Sequence, residues 1–425
     1  MGNPPFVGNN QMSKEQRKDL EPFFPKNKTI DYVACWYKKA SELIKETNIK
    51  CAFVSTNSIT QGEQVAILWE DLFKDYNISI DFAYRTFRWD SESTEKAHVH
   101  CVIIGFSHKT PLDHNQAVCT TKRIFNADDT VEEAENISPY LINSPNIFVK
   151  SRSKPLCAVP EIRKGNQPTD GGNLIIDAED YDEFIKKEPE AKKYIKRLIG
   201  AKEYINNLPR YCLWLVDASP AEIKKMPLVM KRVEAVRQMR LESTDSSTVK
   251  LADTPTVFRE TNNPETFIII PSVSSENRQY VPIGFLDKNT IPTNLVLIIP
   301  DATLFHFGVL TSSVHMAWMR AVCGRLEMRY RYSKDIVYNN FPWCDVSDEQ
   351  KAKIEKTAQA ILDARAKYPD SSLADLYDET LMPAELRKAH RENDKAVMSA
   401  YGFKADMSEA EIVAELFKMY EKLTK

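Results

Sequence analysis

Apolar positions between residue 1 and about residue 108 switch repeatedly between two periods. Val33, Trp36, Ala40 and Leu43 recur at helical spacing from Asp31 to Glu46, and Val65, Leu68 and Leu72 form a second stripe of the same kind. Among them lie short apolar runs that read as strands: Cys51-Ala-Phe-Val-Ser55, Ile78-Ser-Ile-Asp-Phe-Ala83 and Val99-His-Cys-Val-Ile-Ile-Gly-Phe106. Helices alternating with strands predict an α/β fold, here half of a doubly wound sheet, with polar Trp89 to Lys96 as a connecting loop. A complete sheet of that type would need further strands ahead of residue 1.

From about 109 to 345 the pattern is α+β: frequent prolines, short strands such as Phe267-Ile-Ile-Ile270 and Leu295-Val-Leu-Ile-Ile299, and polar loops at Lys150-Ser-Arg-Ser-Lys154, Lys164-Gly-Asn-Gln-Pro168 and Gly171-Gly172. Helices are expected over about 179 to 207 and 219 to 242. The second interleaves Lys224, Lys225, Lys231, Arg232, Arg237 and Arg240 with Ile223, Val229, Val233 and Val236, which suits either a solvated face or phosphate contacts. From about 346 the chain reads as helical to its end. Ser347-Asp-Glu signals a helix start, Ile354, Ala358, Ile361 and Leu362 continue one stripe, and Ile412, Leu416, Met419 and Tyr420 form another. Three regions follow, 1–108, 109–345 and 346–425.

A chain of 425 residues is too long for one ordinary core, consistent with about three domains. Its hydrophobic share of 43% and charged share of 28% are those of a globular protein, and no apolar run approaches the ~18 residues of a membrane span. The start shows no basic leader followed by an apolar core, so no signal peptide is expected. None of the eight cysteines forms a Cys-x-x-Cys pair, which argues against a zinc or disulfide framework and for a reducing cytoplasm. A net charge of -3 neither advertises nor forbids nucleic acid, because a local basic face can meet phosphates while acids sit elsewhere.

Candidate chemistry concentrates at three places. Asn3-Pro4-Pro5-Phe6, at the mouth of an α/β pattern, matches the loop that amino-group DNA methyltransferases use. An exocyclic amine has its lone pair delocalised into the ring, so acceptors must draw the nitrogen toward tetrahedral geometry. The Asn3 side-chain oxygen and the Pro4 carbonyl can do so, and the proline pair fixes φ and removes competing N–H donors. Phe6 offers a face to a base turned out of the duplex, recovering ~1–3 kcal/mol of the stacking lost. The plainer reading is a proline-rich turn with a core phenylalanine. The stretch Phe87-Arg-Trp89, expected as a loop between two strands, could supply a second aromatic wall, Phe87 ahead of Trp89, or serve as ordinary core. His98 and His100 share a strand face but lack a third ligand, so no metal site is expected. In Gly324-Arg-Leu-Glu-Met-Arg-Tyr-Arg-Tyr332, an extended backbone would put Glu327 and Arg329 on one face. Arginine fits guanine O6 and N7 and glutamate accepts from the cytosine amino group, so the pair matches one C·G base pair, each contact discriminating by ~1–3 kcal/mol. On spacing alone, a surface charge cluster with Arg325 and Arg331 on phosphates fits as well.

Asn3-Pro-Pro-Phe-Val-Gly8, Asp31-Tyr-Val-Ala34, Phe53-Val-Ser-Thr-Asn-Ser-Ile-Thr-Gln-Gly-Glu-Gln64 and Val99-His-Cys-Val-Ile-Ile-Gly-Phe106 resemble the MmeI-like family of adenine-specific DNA methyltransferases, the type IIL restriction-modification enzymes. The likeness continues through Ser151-Arg-Ser-Lys154, Asp170-Gly-Gly172, Ser274-Ser-Glu-Asn-Arg278, His306-Phe-Gly-Val-Leu-Thr-Ser-Ser313 and Tyr338-Asn-Asn-Phe-Pro-Trp343, and so spans the chain. It implies the later half of a methyltransferase domain using S-adenosyl-L-methionine, then a target recognition domain, then a helical domain. Family members add a nuclease and a helical connector ahead of these. Asn3, Pro4 and Phe6 would hold the flipped adenine of double-stranded DNA, and Glu327 and Arg329 would read the neighbouring base pair, where other members carry Lys-x-Asp. Lys150, Arg152 and Lys154 are backbone-contact candidates. The glycine-rich cofactor turn of such enzymes is not found ahead of Asn3, so the chain is expected to be a fragment of a longer protein. The alternative is a non-catalytic DNA-recognition module.

Overall fold

The computed structural model describes residues 1–25, 29–89, 99–109 and 121–425. His98 lies outside them. The chain divides into two compact units, and neither is continuous in sequence: Met1–Ala158 with Ala317–Cys344 and Gly402–Lys425, and Val159–Met316 with Asp345–Tyr401.

The first unit begins with Lys14–Leu20 (α1), Ala34–Ile44 (α2), Lys50–Thr56 (β1), Gly62–Lys74 (α3), Ile78–Trp89 (β2), Val99–His108 (β3), Lys122–Phe125 (β4) and Val131–Ala134 (β5). The sheet order is β1-β3-β2-β4-β5. Strand β3 is antiparallel to both β1 and β2, so those two run parallel to each other across it, and β4 runs parallel to β2. Tyr37 of α2 anchors the core beneath the sheet. Its ring lies 5.2 Å from Phe53, 5.4 Å from Phe106 and 5.5 Å from Trp69, and its hydroxyl pairs with Ser55 Oγ at 2.9 Å. Of the stripe read from the sequence, Val33 and Ala40 are buried and Trp36 is half-buried, but Leu43 is 70% exposed, and helix α2 turns Ala34, Tyr37, Ser41 and Ile44 inward beside them. The two sets are offset by one residue, and the inward face is turned toward the small and aromatic side chains that fit beneath the sheet. Phe87 and Trp89 are not in a loop. Strand β2 extends to Trp89, which pairs with Val99, because bulges after Ile80 and Tyr84 let the strand keep its partner past the polar positions.

In the second unit the elements are Arg163–Lys164 (β6), Ile175–Asp177 (β7), Ala178–Lys187 (α4), Ile195–Ile199 (β8), Ala201–Asn206 (α5), Arg210–Leu213 (β9), Pro220–Ile223 (α6), Pro227–Leu241 (α7), Ser246–Lys250 (α8), Thr266–Pro271 (β10), Val273–Ser274 (β11), Gly284–Asp287 (β12), Thr290–Pro292 (β13), Val296–Pro300 (β14) and Leu304–Leu310 (α9). One sheet runs β12-β10-β14-β6 and another β13-β8-β9-β7. The helix expected over 179 to 207 is broken. Glu188-Pro189 ends α4, and Ile195-Lys-Arg-Leu-Ile199 pairs with β9 and β13 as β8, strand partners overriding a local helical pattern. Helix α7 buries Val229, Val233 and Val236 as its pattern requires.

Ser313–Val322 (α10) leads to the hairpin Gly324–Leu326 (β15) and Arg329–Arg331 (β16), then a π-turn at Lys334–Tyr338. The remainder is helical: Asp348–Ala366 (α11), Leu373–Leu376 (α12), Ala384–Tyr401 (α13) and Glu409–Thr424 (α14). In the second unit α9 sits tightly against α11 and α13. A Cβ at Gly308 would meet Ile354 at 2.7 Å and Ala358 at 3.1 Å, and Asn393 Nδ2 donates to the Gly308 carbonyl at 2.8 Å. In the first unit α14 packs Phe417 and Tyr420 on Trp318, and Arg320 grips Glu409 with two hydrogen bonds. No helix of the described residues is long and apolar enough to cross a membrane.

Candidate functional site

Gly2 forms a parallel bridge beside β1: its N–H donates to the Ala52 carbonyl at 3.0 Å and its carbonyl accepts from Val54 N–H at 3.1 Å. Glycine suits this close approach, since a Cβ there would lie 3.0 Å from the Phe53 ring and the ring would have to give way. The loop that follows therefore leaves the sheet at the carboxyl end of a parallel pair, where open α/β sheets bind ligands. In that loop Asn3 and Pro5 are exposed, Pro4 is buried and Phe6 is half-buried. The loop's far end is clamped from below. Tyr32 N–H donates to the Val7 carbonyl at 3.0 Å, and Asn9 N–H donates to Asp31 Oδ1 at 2.9 Å.

Asp31 is the hub of this clamp, although hydrophobic period gives no hint of it. Only 9% exposed, it accepts from Ser58 Oγ at 2.6 Å through its other oxygen, and its own N–H donates to Gln64 Oε1 at 3.1 Å. The base-binding candidate loop and the turn after β1 thus share one carboxylate, and the start of α3 holds the same residue through its backbone N–H. Carboxylates accepting two hydrogen bonds when buried are costly to replace.

On strand β2, Phe87 and Trp89 project from the same face with ring centroids 6.2 Å apart, Phe87 half-buried and Trp89 exposed. Midway along β2, Tyr84 stacks on Phe125 of the paired strand β4 at 4.3 Å. His100 is half-buried on β3, and among the described residues no three candidate ligands gather as a metal site.

Glu327 and Arg329 do not sit on a continuous strand. Leu326 pairs with Arg329, so Glu327 and Met328 form a two-residue turn, and Glu327 takes φ 59°. Such turns put positive φ at their first residue, usually a glycine's place. The two side chains still meet: Arg329 Nη2 lies 2.9 Å from Glu327 Oε2, with exposures of 46% and 74%. Arg325 props the turn from behind by donating to the Met328 carbonyl at 3.0 Å, its guanidinium lying 4.4 Å over the Tyr330 ring. Burial raises the Tyr330 pKa, the Arg325 charge opposing it. Arg331 is exposed.

The loop with Lys150, Arg152 and Lys154 is fixed through its backbone. Asn340 donates to the Lys150 carbonyl at 2.9 Å, Asn339 to that of Arg152 at 2.7 Å, and Arg152 N–H donates to the Asp335 carbonyl at 2.9 Å. Lys154 is exposed, and Lys150 bonds Glu70 at 2.9 Å. Burial favours a raised Glu70 pKa, but hydrogen bonds from Lys150 and Lys74 bring it down overall. Of the six cations, Lys224 and Lys225 precede α7, and two of the four on it turn inward to backbone carbonyls. Arg240, fully buried, donates to the carbonyls of Pro168, Thr169, Leu251, Thr254 and Val257, and Arg232 donates to those of Asn173 and Ile175. Lys224, Lys225, Lys231 and Arg237 face solvent.

Three family models follow one another along the chain: the MmeI DNA-methyltransferase domain at residues 1–120, the MmeI target recognition domain at 143–345 and the MmeI C-terminal domain at 346–425. DNA methyltransferase A of Bacillus subtilis (strain 168) is 42% identical over 428 residues, which take in 100% of this chain and 48% of that protein. The structure of the type IIL restriction-modification enzyme MmeI in complex with DNA superimposes with a TM-score of 0.90 at 45% identity, covering 100% of this chain and 57% of that one. The chain spans about half the length of the relatives it matches. Successive matches to three domain models of one family, joined to a whole-chain structural likeness, place this chain in the MmeI family of DNA methyltransferases.

Proposed function

We propose that this chain is the part of a site-specific DNA adenine N6-methyltransferase that grips the target adenine and selects the sequence around it. Residues 1–108 serve as the second half of the methyltransferase domain, 109–345 as the target recognition domain and 346–425 as the helical domain. The observation that carries this is the placement of Asn3: exposed, at the carboxyl end of a parallel pair, in a loop clamped by Asp31. Asn3 Oδ1 and the Pro4 carbonyl accept from the adenine amino group and draw its nitrogen out of conjugation, Pro5 stiffens the turn, and Phe6 stacks on the extruded base. Phe87, with Trp89 as its neighbour, offers the opposing wall.

Methyl transfer of this kind draws on S-adenosyl-L-methionine. The described residues contain no glycine-rich turn after a parallel strand, the cradle that such a nucleoside cofactor needs. No residue of this chain is therefore assigned to the cofactor. The duplex is held by Lys150, Arg152, Lys154 and Arg331 along its phosphates, and Glu327 with Arg329 reads one C·G pair. The test is a double change, Glu327→Lys with Arg329→Asp, in the full-length protein expressed in a host whose DNA is then read by long-read sequencing. The methylated motif should change from C·G to G·C at one position. An unchanged motif would remove the reading role from this pair, and methylated cytosine in place of adenine would overturn the target assignment.

A further inference from the structure

The base-gripping loop and the reading hairpin lie far apart in sequence yet belong to one compact unit. Both rest on the first turn of α3. On one side Gln64 Oε1 accepts from Asp31 N–H at 3.1 Å, and Asp31 holds the loop through Asn9. On the other side Gly62 faces the base of the hairpin: a Cβ added to Gly62 would lie 3.4 Å from Gly324 Cα and 3.5 Å from Gly324 N. Gly62 has φ 58°, the left-handed region, which disfavours any side chain but that of a residue such as Asn. Helix α3 is secured to the segment before it, because Trp69 Nε1, about two turns along, donates to the Ile59 carbonyl at 2.9 Å.

We propose that this first turn, Gly62 to Gln64, is a common footing that sets the spacing between the methylated adenine and the base pair read beside it, with Gly62 as the specificity-positioning residue. The inference rests on the roles given above to Asn3 and to Glu327 with Arg329. Relaxing Gly62 to negative φ redirects the chain where it meets Gly324. The hairpin then shifts against the loop, and the reading side chains lose registry with the base pair while the adenine is still gripped. Gly324 itself has room for a side chain, since an added Cβ meets nothing within 4 Å. The constraint thus belongs to the α3 side of the contact.

The experiment compares single-turnover methylation of two duplexes by the full-length protein. One carries the motif read from host DNA, the other the same motif with the Glu327–Arg329 base pair inverted. Gly62→Ala should lower the ratio of the two rates about tenfold or more. Gly62→Asn, whose side chain tolerates the left-handed region, should keep most of it, and Gly324→Ala should leave it unchanged. Equilibrium binding of the two duplexes supplies the same ratio where turnover is too slow to follow. A ratio unmoved by Gly62→Ala, even with both rates depressed together, overturns the proposal, as does an equal loss in Gly62→Ala and Gly62→Asn. If the wild-type protein does not distinguish the duplexes, the reading of the hairpin fails first and this inference falls with it.

Discussion

Asn3 and Asp31 show how residues of one loop divide between chemistry and support. Asn3 is exposed, so Asn3→Ala should leave stability and duplex affinity within about twofold. Methylation should fall ~10²–10³-fold, the scale for losing one preorganised transition-state hydrogen bond. Label transfer to a duplex beside a gel-shift titration separates the two effects. Equal losses in binding and rate would mean that Asn3 positions the loop instead. The Glu327–Arg329 ion pair makes a second point about single residues. Both side chains are exposed, so the pair adds little stability. Each does hold the other's charge and orientation. Glu327→Lys alone sets two cations side by side at the turn and should abolish discrimination at that base pair. Adding Arg329→Asp restores an opposite pair and, with it, discrimination for the inverted base pair. Competition binding with the two duplexes measures both steps. Asn3 and the Glu-x-Arg pair were legible because their chemistry lies in residue type and close spacing. Asp31, Gln64 and Gly62 stood within the motifs of the family resemblance, but their parts in holding the loop were not legible, because what they do depends on partners that only the fold brings near.

Among elements, α7 is where a sequence pattern most needed the structure. Its basic residues read as one solvated or phosphate-facing surface, and its apolar positions were assigned correctly. The fully buried Arg240 could not be told from Lys231 by period, because a guanidinium whose donors are met by five backbone carbonyls is as much at home inside as a leucine. Arg240→Lys leaves several of those carbonyls without a donor and should cost ~3 kcal/mol or more. Lys231→Ala, on an exposed position of the same helix, should stay within about 0.5 kcal/mol. Urea midpoints at constant m-value decide, and equal effects would refute the assignment of Arg240 as the staple of its loops. The strand at 195–199 and the extension of β2 to Trp89 were missed for a related reason. Short runs follow their strand partners, and those partners lie far off in sequence.

At the scale of the whole molecule, the second unit carries a built-in sensitivity to acid. His315 and His390 are both fully buried there. Burial pushes the His315 pKa down to about 3. His390 is driven well below its usual value by burial first and then by the neighbouring Arg365 charge, a backbone bond opposing them. His390 is not idle in the core: its Nε2 pairs with the Tyr377 hydroxyl at 2.8 Å and its ring stacks on Tyr280 at 4.1 Å. A histidine in the unfolded chain takes up its proton near pH ~6.5, whereas both of these refuse it in the folded state. The unfolded state therefore binds more protons below that point. Stability from this source is complete above pH ~6.5 and is lost as the pH falls toward the folded values, at about 1.4 kcal/mol per pH unit for each histidine. Between pH ~6.5 and ~5 most carboxylates remain ionised, so the histidines dominate the slope. The urea midpoint of the second unit should fall steeply between pH 7.5 and 5.5, and because burial also lowers the pKa of His306 in this unit to about 4, His315→Gln should reduce that slope by roughly a third whatever it does to stability at pH 7.5. A pH dependence unaltered by the substitution would show that the acid response arises elsewhere.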